Sequence, residues 1–190
     1  VDAHGPKYLL ANSLMEEAIR SSQLEGASTT RSKAKEMIRA RRQPRDKSER
    51  MILNNFLAME RIEELAEKPL TAGTVFELHR ILAEGTLDQP EKAGVFRTEE
   101  DNVVVELLHT IDTAHVPPPA KELPERLERL ISFANSETPS DWLHPVLRAA
   151  ILHFIIGYDH PFVDGNGRVA RALFYWCMVR YGYPLTKYLS

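Results

Sequence analysis

One cysteine in 190 residues, Cys177, rules out an internal disulfide. With so little cysteine a reducing, cytoplasmic setting is expected. No apolar run approaches the roughly 18 residues that a membrane span needs. The opening VDAHGPKYLL lacks the basic start and apolar centre of a signal peptide. It also lacks a methionine, so a processed or trimmed start is expected. No charge sign dominates, because 24 Lys and Arg face 27 Asp and Glu for a net charge of −3. That balance gives no global attraction to nucleic acid or to anionic lipid. No internal repeat or low-complexity tract occurs.

What is present is ordinary for a globular protein: 43% hydrophobic and 27% charged residues. A chain of this length is one domain or little more, and buries about 70% of its unfolded surface without metal or disulfide staples. Apolar residues recur at helical spacing. Leu9, Leu10, Leu14, Ala18 and Ile19 mark a first helix that ends at Gly26. TTRSKAKEMIRARR reads as a second helix. A long third follows Asp46, with Glu49 completing a capping-box pattern. The fourth opens at Thr71 and closes at Gly85. Val103, Val104 and Val105, then three prolines, predict a short hairpin and a stiff connector. LPERLERLISFANSE returns to helix. HPVLRAAILHFIIGYD and GRVARALFYWCMVRYG are apolar enough to be the central pair. Residues 31–50 carry nine Lys and Arg against three acids. With no interleaved aromatic ring, that tract reads as a solvated helix end rather than a nucleic-acid site.

The joint between the two central helices, HPFVDGNGRVAR, concentrates polar groups. Gly165 and Gly167 free the backbone around Asn166. The next helix starts near Gly167, and its unpaired N–H groups form an anion site. Arg168 and Arg171, three apart, are expected to share a face and reach one anion. Asp164 beside a polyphosphate suits Mg²⁺, which takes one or two carboxylates plus phosphate oxygens. His160 is the group whose ordinary pKa is closest to neutral, and so the candidate base. Phe162 is expected to turn inward and pin the loop.

These residues resemble the Fic domain signature, H-x-F-x-[D/E]-G-N-G-R-x-x-R, at each of its eight fixed positions. LHRIL, AGVFR, VPPPAKEL and the helix before the signature are similar to other parts of that family, over most of the chain. The resemblance implies an all-α, Fic-like helical bundle with a small β-hairpin flap, spanning about Val103 to His115 and carrying Val103, Val104 and Val105. It implies a protein adenylyltransferase, which moves AMP from ATP to a Ser, Thr or Tyr hydroxyl of a target protein. His160 would deprotonate the target. Asp164 would hold Mg²⁺. Gly165, Asn166, Gly167 and Arg168 would cradle the phosphates, and Arg171 would grip the γ-phosphate. The extended flap would pair with a target segment as an added strand.

SSQLEG, Ser21 to Gly26, resembles the family's inhibitory motif [S/T]-x-x-x-E-[G/N], through Ser21, Glu25 and Gly26. Glu25 at a helix C-terminus is unfavourable against the dipole, which calls for a positive partner elsewhere. The resemblance implies that Glu25 pairs with Arg171 and takes the place of the γ-phosphate. Residues 1–27 would then be an inhibitory helix and 28–190 the Fic domain. Removal of AMP with Glu25 activating a water, a silent nucleotide-binding interaction module, self-modification and a homodimer all stay open. A helical metal-dependent phosphohydrolase built on His79, His144, His153, Asp159, His160 and Asp164 is the rival enzyme. It gives no reason for the GNGR nest. The chain stops at YPLTKYLS, where family members usually continue, so a fragment or a minimal form is expected.

Overall fold

The computed structural model describes residues 6–106, 113–136 and 142–183. Seven α-helices, three single-turn 3-10 helices and one small hairpin occur in these regions. The helices are α1 Pro6–Leu24, α2 Arg31–Arg39, α3 Lys47–Leu65, α4 Ala72–Ala83, α5 Leu123–Asn135, α6 Pro145–Asp159 and α7 Asn166–Arg180. Strands β1 Val105–Glu106 and β2 Thr113–His115 pair antiparallel with an irregular register. The flap expected at Val103 to His115 is therefore a hairpin at its base; its residues 107–112, like Leu9 and Leu10 in the first-helix pattern, fall outside the described side chains.

Local chemistry sets the boundaries. Thr71 Oγ1 accepts the Thr74 N–H and starts α4. Pro145 occupies the first turn of α6, where its missing N–H costs nothing. At α3 only half of the expected capping box forms. Asp46 accepts the Glu49 N–H at 2.8 Å. The Glu49 carboxylate turns instead to the Arg45 N–H and to both terminal nitrogens of Arg42. Those donors hold its pKa down at about 2 and close the turn between α2 and α3. Elsewhere in the basic tract, Arg31 and Lys35 both meet Glu16 on α1, and Arg39 donates to Asn12.

The true centre is α7. It packs on α6, α3 and α4, and Val169, Leu173, Trp176 and Cys177 are fully enclosed. Burial raises the Cys177 thiol to about 11, so it stays protonated. The sequence reading of α6 as equally central needs correction. Its Ala149, Leu152 and Ile156 are buried, but Leu147, Ile151, Phe154 and Tyr158 line an open face. Helix α1 is part of the foundations. Leu14 and Ala18 belong to the main core, and Met15 and Ile19 to a second cluster with Met37, Ile38 and Ile52.

Candidate active site

The joint between α6 and α7 is built from the end of one helix and the start of the next. His160 caps α6 in the left-handed region, at φ +46°. Three hydrogen bonds hold this turn. Arg97 donates its Nε–H to the His160 carbonyl at 2.7 Å, its Nη2 to the Asp159 carbonyl at 3.3 Å and its backbone N–H to the Pro161 carbonyl at 2.9 Å, while Nη2 also ties in the Pro118 carbonyl at 2.6 Å. Arg97 is 5% exposed, so it spends its charge on carbonyls inside the protein. The imidazole itself is half-buried. Its Nδ1 lies 2.9 Å from the Gly157 carbonyl. A carbonyl can only accept, so Nδ1 carries the proton and Nε2 keeps a free lone pair. Burial lowers the His160 pKa from its ordinary value, and Arg97 and His115 act in the same sense. The Gly157 hydrogen bond and Asp164 oppose them. The result is a neutral imidazole at physiological pH with an available base nitrogen.

The loop that follows is stapled from within. Phe162 is fully buried, as expected. The Asn166 side chain accepts the Phe162 N–H and donates to the Phe162 carbonyl, at 2.9 and 2.8 Å. At 2% exposure, Asn166 therefore spends its amide on loop closure rather than on the opening. Gly165 takes φ +82° where the Arg168 guanidinium passes beneath, at 3.2 Å from where a Cβ would lie. The two arginines do not share a face in the expected way. Arg168 is 2% exposed and donates to the Leu82 carbonyl at the end of α4 and to Thr86. The orphan carbonyls and negative pole of that helix end draw the cation inward. Its other nitrogen is 3.3 Å from Asp164 Oδ2. Arg171 alone turns to the open side.

What Arg171 meets there is α1. Its Nε–H donates to Ser21 Oγ at 2.8 Å, and its Nη2 reaches Glu25 Oε1 at 2.6 Å and the Ser21 carbonyl at 3.2 Å. The same carboxylate oxygen lies 2.6 Å from where a Cβ on Gly167 would stand. A side chain at 167 would clash with it, and glycine lets an anion come down onto the first turn of α7. Gly26 takes φ +89° and turns the chain out of α1. Ser22 is held by Asn55 of α3, whose Nδ2 donates to its Oγ at 2.7 Å.

Asp164 projects from the mouth of the joint with its side chain 55% exposed. It lines a cleft of about 280 Å³ together with Val103, Asp88 and Lys47. Its Oδ1 accepts the Gly165 N–H at 2.5 Å. An exposed carboxylate beside an anion site fits Mg²⁺ completed by phosphate oxygens and water. The six candidate ligands of the rival hydrolase do not gather into a cage of three among the described residues. Val104 is exposed and Val105 half-buried at the hairpin base. Two site-building residues were missed in the sequence, Arg97 and Asn55. Arg97 lies in the AGVFR stretch noted above, but neither its role nor that of Asn55 is readable locally, because their partners are 63 and 33 residues away.

A family model described as Fic/DOC family matches residues 69–178. The Protein adenylyltransferase Fic of Drosophila willistoni is 38% identical over 135 residues, covering 70% of this chain and 25% of that protein. The protein of the same name from Drosophila melanogaster gives the same identity and coverage. The chain thus spans about a quarter of the length of these curated relatives. A Fic domain containing signaling protein from Bacteroides thetaiotaomicron superposes with a TM-score of 0.80 at 26% identity, over 93% of this chain and 66% of that one. Fic-1 from C. elegans superposes at 0.76 with 21% identity, over 95% of this chain and 52% of that one, a likeness of fold.

Proposed function

The chain belongs to the Fic/DOC family, and from that premise we propose that it is a protein adenylyltransferase held in check by Glu25. In this reading ATP lays its phosphates on the first turn of α7, with Arg171 as the side-chain clamp. Arg168 serves by fixing Asp164 and the end of α4 rather than by touching the nucleotide. Asp164 would hold Mg²⁺, which would neutralise phosphate charge as the leaving group departs. His160 Nε2 takes the proton from a target hydroxyl. The freed oxygen bonds to the α-phosphorus, the bond to the β-phosphate oxygen breaks, and pyrophosphate leaves with the electron pair. A positioned base of this kind contributes about 10²- to 10⁴-fold. Most of the remainder is positioning and charge stabilisation.

One observation carries the reading. The carboxylate of Glu25 already sits as an anion over Gly167, gripped by Arg171. A site that binds a carboxylate at a helix N-terminus suits a phosphate better, and Glu25 is then its intramolecular competitor. The test is transfer of label from α-³²P-ATP to lysate proteins and to the chain itself. The Glu25→Gly variant should label both, and Glu25→Gly with His160→Ala should label neither. An unlabelled Glu25→Gly reaction overturns the assignment. Release of AMP from a modified target by the unaltered chain, lost in Glu25→Gly, would assign the reverse reaction instead.

A further inference from the structure

His79, in the third turn of α4, is 0% exposed and uses both ring nitrogens. The Gly94 N–H donates to its Nδ1 at 2.8 Å. Nδ1 is therefore unprotonated, and Nε2–H donates to the Asp164 carbonyl at 3.0 Å. The ring face stacks on Phe162, with centroids 3.7 Å apart and planes 8° from parallel. One side chain thus touches three segments: the turn that leads toward the hairpin, the buried anchor of the α6–α7 loop, and the backbone of the carboxylate at its mouth. A residue that only filled this space would be apolar, since burying two ring nitrogens costs free energy unless both are satisfied.

We propose that His79 is a positioning residue, whose Nε2–H fixes the backbone of Asp164 and so places the Asp164 carboxylate against the first turn of α7. Its Nδ1 sets where the ring itself stands, through Gly94. The Gly94 N–H on one side and the Asp164 carbonyl on the other hold the neutral ring in this tautomer. The inference deepens the adenylyl-transfer reading above, and only its kinetic arm rests on that reading.

Two substitutions separate positioning from filling. His79→Gln keeps an N–H near the place of Nε2 and loses the acceptor for Gly94. His79→Asn keeps an acceptor near the place of Nδ1 and cannot reach Asp164. Each leaves one buried polar group unpaired, so their thermal midpoints should fall by similar amounts. Amide exchange at residues 163–166 should quicken in His79→Asn and stay near its original rate in His79→Gln. In the Glu25→Gly background, His79→Asn should lower kcat by about tenfold or more and raise KM for MgATP, with His79→Gln within about threefold of its parent. Equal exchange in both variants, or activity that tracks only the thermal midpoint, overturns the proposal. If the Glu25→Gly parent itself transfers nothing, the adenylyl-transfer reading fails and the exchange arm alone decides on His79. On the unaltered protein, a slowly exchanging His79 Nε2–H with a coupling to the Asp164 carbonyl is expected by NMR. Its absence also overturns the proposal, whether or not the variants fold.

Discussion

Replacing Glu25 by glycine and by glutamine measures how much of the proposed inhibition is charge. Glu25 lies at the C-terminal end of α1, against the dipole of its own helix, so its placement depends on Arg171. The contact is 2.6 Å long between side chains 19% and 25% exposed. A charge-assisted hydrogen bond contributes about 1.5–3 kcal/mol, and the residual exposure brings this pair to about 2. If that energy is what ATP must displace to reach Arg171, removing it raises productive occupancy on the order of 30-fold, at 1.4 kcal/mol per decade. Glutamine retains the volume over Gly167 and removes the charge, so it should recover part of the gain. The assay is the initial rate of self-labelling from α-³²P-ATP below saturation, where occupancy limits the rate. A Glu25→Gln rate equal to that of the unaltered chain would show that bulk, not charge, closes the site. A Glu25→Gly rate equal to it would refute the competition altogether.

Phe162→Ala removes a fully buried ring that stacks on His79, and should cost about 3–5 kcal/mol in denaturant unfolding. A loss under about 1 kcal/mol would mean that the loop is not anchored there. Asn55→Ala removes the tie from α3 to Ser22, whose hydroxyl keeps only its bond to the Ala18 carbonyl, so on the proposed reading the last turn of α1 loosens and self-labelling should rise with Glu25 intact; an unchanged rate would show that this tie does not hold the turn. The pH–rate profile of the Glu25→Gly variant should lose activity only below the ordinary histidine pKa of 6.5, since burial favours the neutral His160 that serves as base. An acid limb centred above 6.5 would contradict that assignment.

Helix periodicity made the bundle legible, because Leu14, Ala18, Val75, Leu78, Leu152 and Leu173 repeat at the spacing of one buried face. Thr71, Pro145 and Gly26 marked their ends through chemistry that acts within a single turn. The loop constellation was legible too, since twelve consecutive residues carry it. Side-chain direction was not. Spacing of three places Arg168 and Arg171 on neighbouring parts of α7, but the open carbonyls at the end of α4 capture one and Ser21 with Glu25 capture the other. Glu49 illustrates the same limit at short range: Arg42 and the Arg45 N–H outbid the capping role that its sequence position suggested. The open face of α6 also escaped the sequence, because apolar residues on all sides do not say which neighbours are present to cover them.

Helix α1, which ends just before Glu25, supplies Leu14 and Ala18 to the same core that supports α7. Removing α1, by proteolysis or by a downstream start codon, would strip those side chains from the core and is expected to destabilise the domain as well as take away Glu25. If Glu25 restrains the site as proposed, a release that keeps the core intact is confined to the final turn from Ser21 to Gly26. On the proposed reading, substitutions at Leu14 or Ala18 would disturb the core and the seating of Glu25 together.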